Sequence, residues 1–146
     1  MSVKKAEKSG EMVAVMLLMK PGVLSVEPTV TALDVARMMK NKGVRNIFVA
    51  KEGKPIGVVR DVDLITKVVA LRLDPATIRA EQVMLTPPPI IDSNARLADI
   101  AKLMSDTGVR RVLVVDKDKM IGTITAGDVL KLVSRVPQLS SNLPPE

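Results

Sequence analysis

The pattern of hydrophobic and polar positions occurs twice along the chain, with helical and strand periodicities in the same order each time. In each copy a short extended segment precedes a stretch whose apolar residues have helical spacing, and two runs rich in Val and Ile follow, joined by a tight polar turn. A further helix is predicted to close each copy, beginning near Asp61 and near Gly127. The predicted strands are 23–26, 46–50 and 56–59 in the first copy and 89–91, 111–115 and 121–124 in the second. The pattern therefore predicts two β-α-β-β-α units, a mixed α/β (α+β) fold.

The first helix of each copy carries signals for its two ends. Its apolar positions are Leu33, Val35, Ala36, Met38 and Met39 in the first copy and Leu97, Ile100, Ala101, Leu103 and Met104 in the second. Thr31 followed by Asp34 is typical of a capping box at a helix start. Gly43 and Gly108 stand where a glycine ends a helix in the left-handed conformation. The methionines of this helix are predicted to serve the core or an interface.

The two copies are also similar residue by residue, because residues 19–63 align with residues 84–128 without a gap. The shared residues include glycines and charges that core packing alone does not require. They are Met19/Met84, Asp34/Asp99, Ala36/Ala101, Met39/Met104, Gly43/Gly108, Val44/Val109, Arg45/Arg110, Val49/Val114, Lys54/Lys119, Ile56/Ile121, Gly57/Gly122 and Asp63/Asp128. A period above the usual solenoid range, present only twice, predicts two similar units packed on each other.

The composition places this pair in one globular domain. A chain of 146 residues with 47% hydrophobic and 26% charged residues is long enough to bury a core. We expect a first repeat at 11–75, which includes a helix at 11–19, and a second repeat at 76–136. The polar ends at 1–10 and 137–146 are predicted to be mobile tails.

The residue types that the chain lacks exclude several kinds of chemistry. There is no Cys and no His, which removes disulfides, thiolate nucleophiles, imidazole bases and the common zinc ligands. Phe48 is the single aromatic residue, so a flat ligand would be held between aliphatic side chains. The apolar run at 12–19 is too short to span a bilayer, and no signal-peptide cleavage site follows it. We therefore expect a soluble, cytoplasmic protein.

The net charge of +6, with a pI near 9.8, favours acidic partners. Phosphorylated small molecules, nucleic acid and acidic protein surfaces all fit this charge. Lysines that only solubilise the surface are the alternative explanation, and several of them lie near the N-terminus. For most of the excess positive charge we favour surface lysines that only solubilise the protein.

Candidate binding chemistry lies where the second strand of each hairpin ends. Thr125 and Arg60 occupy the equivalent strand ends, and each is followed three residues later by an aspartate, Asp128 or Asp63, in the first turn of a helix. The free N–H groups of a helix start suit a phosphate, and a carboxylate can accept two ribose hydroxyls. This pairing fits a nucleotide better than it fits a simple anion.

Helix capping is the alternative explanation for Asp63 and Asp128. An aspartate in the first turn stabilises a helix through its dipole and needs no ligand. For a single aspartate we favour capping. The recurrence of both at one register, after a strand end of the form Gly-x-x-[Thr/Arg], favours binding.

Arginines recur directly before the first strand of each hairpin, in the tetrapeptides Gly-Val-Arg-Asn and Gly-Val-Arg-Arg. A guanidinium group forms bidentate contacts with phosphate that a lysine does not form. Arg45, Arg110 and Arg111 are therefore candidate phosphate clamps. A solvated surface, or an ion pair with Asp61 or Asp99, is an equally weighted alternative for each of them.

This combination resembles the CBS-domain family, named after cystathionine β-synthase, over roughly residues 12–134. The resemblance is carried by the segments 43–49 and 108–114, each followed by Ile-Gly and by the strand-end aspartate motif. The sequence is identified on these motifs as a stand-alone tandem CBS pair. Phe48 and Leu113 depart from the family, which usually has proline at their positions.

The resemblance implies a single pseudo-twofold module with two clefts between the repeats, which hold AMP, ADP, ATP or S-adenosylmethionine. One cleft would join Thr125 and Asp128 to the backbone around Val26, Val44, Arg45, Asn46 and Ile47. The other would join Arg60 and Asp63 to Ile91, Val109, Arg110, Arg111 and Val112. Arg60 stands where the family more often has Ser or Thr. A long cation there either strengthens the binding of a multiply charged phosphate or blocks the cleft, so the two sites are expected to differ.

We therefore expect an adenine-nucleotide-binding regulatory or energy-sensing module, with no catalysis of its own, no catalytic cofactor and no metal. The resemblance also implies a homodimer through apolar helix faces and an unidentified regulated protein, without a membrane partner. A basic nucleic-acid-binding protein ranks lower, because the chain has no recognition motif and no aromatic platform for single strands. A structural interaction module with empty clefts is the third alternative.

Overall fold

The computed structural model describes residues 16–135, and these residues fall into two compact units. Within the described range the repeat-1 unit is Val23–Pro88, and the repeat-2 unit joins 16–22 to 89–135. Residues 16–22 lie within the first repeat as predicted at 11–75, yet the structure groups them with the second. The predicted tails lie outside the described residues, as does most of the helix predicted at 11–19, of which residues 16–18 are helical.

The elements follow the predicted order in both units. The strands are β1 (Lys20–Pro21), β2 (Ser25–Val26), β3 (Asn46–Lys51), β4 (Lys54–Arg60), β5 (Ile90–Asp92), β6 (Arg111–Asp116) and β7 (Lys119–Thr125). The helices are α1 (Ala32–Lys42), α2 (Asp61–Leu64), α3 (Ala80–Val83), α4 (Leu97–Thr107) and α5 (Ala126–Arg135), and a π-helical turn (Ile65–Val69) continues α2. The predicted β-α-β-β-α order is confirmed in both copies. The short elements β1 and α3 were not predicted.

Each unit has its own sheet, built around an antiparallel hairpin. The repeat-1 sheet has the order β2-β3-β4, with β2 parallel to β3. The repeat-2 sheet has the order β1-β7-β6-β5, with β5 parallel to β6. The polar turns of the hairpins contain residues with positive φ, which matches the right-handed twist of the strands on either side.

The predicted helix ends are confirmed by the backbone geometry. The Thr31 hydroxyl accepts a hydrogen bond of 3.1 Å from the Asp34 N–H at the start of α1. Gly43 and Gly108 end α1 and α4 in the left-handed conformation, with φ of 67° and 73°. A side chain at either position would strain the backbone, which explains why glycine recurs there.

The repeat-1 unit has a core between its sheet and its helices. Ile47, Val49 and Val59 of the sheet are fully buried against Val35 of α1 and Val68 of the π-helical turn. Met38 and Met39 are half-buried and pack against this cluster, in agreement with the core role predicted for them.

The short segments before the first parallel strand of each repeat, β2 or β5, pair with the hairpin of the other repeat. β1 lies antiparallel to β7, and Leu85 exchanges two backbone hydrogen bonds, of 2.8 and 3.0 Å, with Val58 of β4. A Cβ added at Gly57 would overlap the Met84 side chain, and one added at Gly122 would overlap Met19 and the Lys20 carbonyl oxygen. The recurrence of Gly57 with Met84 and of Gly122 with Met19 is therefore explained by close packing in both units.

Candidate functional site

The structure brings the strand-end motif and the arginine motif together within each unit. In the repeat-1 unit the Asp61 N–H, at the start of α2, donates to the Arg45 carbonyl at 3.0 Å. In the repeat-2 unit the equivalent Ala126 N–H donates to the Arg110 carbonyl at 2.8 Å. Because these bonds fix the start of each closing helix beside the first hairpin strand, both motifs lie at one corner of their sheet.

In the repeat-2 unit Thr125 and Asp128 form a reciprocal capping box. The Thr125 N–H donates to Asp128 Oδ2 at 3.0 Å, and the Asp128 N–H donates to the Thr125 hydroxyl at 3.1 Å. Both residues are half-buried. The capping role considered as an alternative is therefore present at this site.

Capping leaves part of the Asp128 carboxylate available. Among residues 16–135 no group donates to its second oxygen, Oδ1, and the neighbouring Gly127 N–H has no acceptor. Burial alone would raise the pKa of Asp128, but the hydrogen bonds with Thr125 and the charges of Lys20 and Lys131 hold that pKa below its ordinary value. The corner therefore presents an ionised acceptor beside an open donor at a helix start.

In the repeat-1 unit the equivalent carboxylate, Asp63, is occupied by the protein itself. The Arg60 side chain donates from Nε to Oδ2 at 2.9 Å and from Nη2 to Oδ1 at 2.7 Å, and the Arg60 N–H donates to Oδ2 at 2.9 Å. Lys67 Nζ lies 3.3 Å from Oδ1. An ionised carboxylate offers about four lone-pair sites, and four donors surround this one.

Asp63 is also closed to solvent. Its side chain is 1% exposed, whereas the Arg60 side chain that covers it is 24% exposed. Burial alone would raise the pKa of Asp63, but Arg60, with a smaller contribution from Lys67, outweighs burial and lowers this pKa. Lys67 also donates to the Val83 carbonyl at 3.0 Å, which ties the cluster to the end of α3.

Asp61 is a second difference between the repeat-1 corner and the repeat-2 corner. Its Oδ1 accepts a hydrogen bond of 2.8 Å from the Val62 N–H, which is the equivalent of the open Gly127 N–H in repeat 2. Ala126 occupies the position of Asp61 in the repeat-2 unit. The repeat-1 corner therefore has one more negative charge and one fewer open donor.

The candidate arginines differ in their surroundings. Arg45 and Arg110 are exposed, and in the described part of the chain their guanidinium groups have no acceptor. Arg111 is half-buried and donates from Nη1 to the Thr123 hydroxyl at 3.0 Å. The ion pairs with Asp61 or Asp99 that were considered for these arginines are absent from residues 16–135, and Asp99 lies instead 3.8 Å from Arg96.

The remaining predicted residues divide by burial. Val26, Val44, Asn46 and Ile91 are half-buried, whereas Ile47, Val109 and Val112 are buried. Because their side chains are buried, these three can offer a ligand only their backbone, and a backbone role was predicted for the segment of Ile47. The two predicted combinations that draw on both repeats remain predictions.

Sequence analysis missed Lys67 as a partner of Asp63. The signal was available, because a lysine four residues after an aspartate lies on the same side of a helix.

Within residues 16–135 no group of His, Cys, Asp and Glu side chains is arranged to hold a metal ion. The same residues contain no helix that is long and apolar enough to cross a membrane.

Comparison with known proteins gives a consistent family assignment. The family model of the CBS domain matches residues 13–70 and 80–135. An uncharacterized protein of Methanopyrus kandleri is 32% identical over 112 residues, which are 75% of this chain and 57% of that protein, so the chain spans little more than half of this relative.

Solved structures show the same arrangement of elements. A CBS-pair protein from Arabidopsis thaliana has a TM-score of 0.72 and 26% identity, covering 85% of this chain and 96% of its own. A hexameric CBS-CP12 protein from bloom-forming cyanobacteria has a TM-score of 0.71 and 26% identity, covering 80% of this chain and 65% of its own. The chain therefore belongs to the CBS-domain family and carries two CBS domains in tandem.

Proposed function

We propose that this chain is a regulatory module that binds an adenine nucleotide at the strand-end corner of the repeat-2 unit. Asp128 is the proposed acceptor for the ribose hydroxyls, and the start of α5 with Arg110 and Arg111 is the proposed phosphate side. The observation that carries the proposal is the open Oδ1 of an ionised, half-buried carboxylate next to the open Gly127 N–H. Family membership supports the same ligand class.

We propose that the repeat-1 corner holds no nucleotide while Arg60 and Asp63 are paired. A ribose hydroxyl would have to displace a guanidinium that makes two charge-assisted hydrogen bonds to the same carboxylate. Bonds of this kind are about twice as strong as neutral ones. The exchange is therefore unfavourable, and one nucleotide per chain is expected.

The residues around the Thr125 hydroxyl favour regulation over catalysis. The chain has no His, and the carboxylate beside the Thr125 hydroxyl, Asp128, has a pKa held below its ordinary value, which makes it a weak base. A hydroxyl nucleophile needs an adjacent base to be activated. The corner is therefore suited to holding a ligand. The proposed regulatory signal is a change in conformation or in partner binding when the ligand is bound.

Self-association is proposed as a second property, through exposed apolar side chains between positions 62 and 73. Val62, Ile65, Val69, Leu71 and Leu73 are 42 to 69% exposed. This surface is distinct from the methionines of α1, since Met38 and Met39 are half-buried. A hexameric relative supports assembly in the family. Light scattering of Ile65→Lys should show smaller particles than the wild type, and an unchanged mass would reject this surface.

A thermal-shift panel tests the proposed function. A ligand that binds only the native state adds about 2.7 kcal/mol of stability at a hundredfold excess over its Kd. We expect ATP, ADP, AMP or S-adenosylmethionine to raise the Tm by about 5 to 10 °C. A single-stranded polynucleotide at two salt concentrations is the control for nonspecific charge, because its binding would weaken steeply with salt. No shift with any adenosine compound at millimolar concentration would reject the proposal.

A further inference from the structure

The register of β1, which comes before β2 in the sequence, brings a cation to the repeat-2 corner. Lys20 lies directly opposite Thr123 in the antiparallel pair of β1 and β7. Residues directly opposite in such a pair point their side chains to the same face of the sheet. Thr125 is two residues after Thr123 and therefore lies on that face as well. Lys20 thus shares a face with the cap of α5.

Arg111 completes this group of polar side chains. It lies opposite Thr125 in the pair of β6 and β7, so it points to the same face. The Arg111 Nη1 reaches across to β7 and donates to the hydroxyl of Thr123, a residue that is 5% exposed. The charge of Lys20 also contributes to the lowered pKa of Asp128, which places Lys20 within electrostatic reach of that carboxylate.

The equivalent positions of the repeat-1 unit lack this cationic group. Leu85 takes the place of Lys20, Val58 that of Thr123 and Asn46 that of Arg111. Arg60 is a cation on this face, but Asp63 neutralises it. Packing of β1 on the sheet does not require a lysine, because an apolar side chain occupies the same position in the other unit.

We propose that Lys20 sets the ligand charge that the repeat-2 corner prefers, so that nucleoside di- and triphosphates bind more tightly than monophosphates. This inference rests on the proposed function and adds the class of ligand. A lysine ammonium is a compact charge on a long flexible stem, suited to following a terminal phosphate. Together with Arg111 it supplies two positive charges, whereas Asp128 supplies one negative charge for the ribose end.

Two lysine substitutions in the same unit test the inference. Lys20→Met removes the proposed phosphate contact, and Lys102→Met removes the same charge from the exposed face of α4, where Lys102 pairs with Asp106 at 3.1 Å. Affinities for ATP, ADP, AMP and adenosine are measured for the wild type and both variants by calorimetry. We expect Lys20→Met to weaken ATP about tenfold, to weaken AMP less and to leave adenosine unchanged. Lys102→Met should leave all four affinities in place.

The outcomes separate this inference from the proposed function. If the wild type binds none of the four ligands, the proposed function fails and the inference fails with it. If the wild type binds ATP but Lys20→Met loses no more affinity than Lys102→Met, the inference is wrong and the proposed function stands. Equal losses for ATP and adenosine would also overturn charge selection.

A readout without nucleotide checks the position of Lys20. In the free protein, the pKa of the Asp128 carboxyl, followed by NMR, should rise in Lys20→Met and stay in place in Lys102→Met. An unchanged Asp128 pKa in Lys20→Met would show that the ammonium lies too far from the corner to serve it.

Discussion

The two repeats place an aspartate at the same register after the same strand, but the carboxylates have different surroundings. Asp63 accepts from the backbone and the guanidinium of Arg60, has Lys67 3.3 Å away and is 1% exposed. Asp128 accepts from the Thr125 backbone and keeps its second oxygen open within the described residues. The residues at the strand end, Arg60 and Thr125, decide this difference. An identity between repeats therefore establishes a shared position and not a shared chemistry.

The difference also separates a structural role from the proposed binding role. A buried carboxylate is stable only when its charge is compensated, and the repeat-1 unit compensates it with its own side chains. The repeat-2 unit leaves its carboxylate half-buried, so solvent or a ligand can complete the set of donors. The same motif therefore stabilises one unit and remains available for binding in the other.

Copying the repeat-1 strand end into repeat 2 should have the largest effect. In Thr125→Arg the new guanidinium is expected to pair with Asp128 and to displace the ribose. Two charge-assisted hydrogen bonds are lost to the ligand, so nucleotide affinity should fall roughly 100-fold or more in calorimetry. Thr125→Ser is the matched control, because serine keeps the hydroxyl cap, and it should bind as the wild type does. Unchanged affinity in Thr125→Arg would show that this corner is not the site.

Breaking the pair in repeat 1 should reduce stability more than breaking the cap in repeat 2. Arg60→Met leaves Asp63 buried with only Lys67 as its cationic partner. Removing one partner of a fully buried pair costs about 3 to 5 kcal/mol, and we expect about 2 to 3 here because Lys67 remains and Arg60 is partly exposed. Thr125→Val, which loses only a cap, should cost about 1 kcal/mol. Urea unfolding measures both, and an equal or reversed order would contradict the proposed division of roles.

The sequence predicts most of the fold because its periodicities are long enough to be recognised. The helices α1 and α4 and both hairpins have four or more patterned positions each, and Gly43 and Gly108 mark helix ends that only left-handed backbone satisfies. β1 could not be predicted in this way, since a two-residue strand has no period. Its place in the repeat-2 sheet is defined by pairing with β7 and by close packing of Met19 on Gly122, which are tertiary properties.

The candidate site is predicted only in part for a related reason. The recurrence of Asp63 and Asp128 identifies the two corners. Sequence does not show that Arg60 turns back onto Asp63 instead of facing a phosphate, because the choice depends on how far burial raises the cost of an uncompensated carboxylate. The place of Lys20 beside Thr123 was likewise hidden, since it depends on the pairing of β1 with β7.

The pH dependence of stability gives a smaller test of the same difference. The folded pKa of Asp63 lies below the ordinary value of about 3.9, so its contribution is fully present above that pH and is lost as the pH falls through the folded pKa. The wild type should therefore lose its stability advantage over Asp63→Asn as the pH is lowered from about 5 towards 3. The corresponding change for Asp128→Asn should be smaller, because Asp128 is only half-buried. Urea unfolding across this range measures both, and a constant difference between wild type and Asp63→Asn would contradict a lowered pKa.

Calorimetric titration of ATP into three proteins tests most directly whether nucleotide binds at the repeat-2 corner and not at the repeat-1 corner. The wild type should bind one nucleotide per chain. Asp128→Asn should weaken this binding about tenfold or more, because a charged acceptor for the ribose is replaced by a neutral amide. Asp63→Asn, if its melting curve shows it folded, should keep both the stoichiometry and the affinity. Two equal sites per chain, or equal losses in the two variants, would contradict the account.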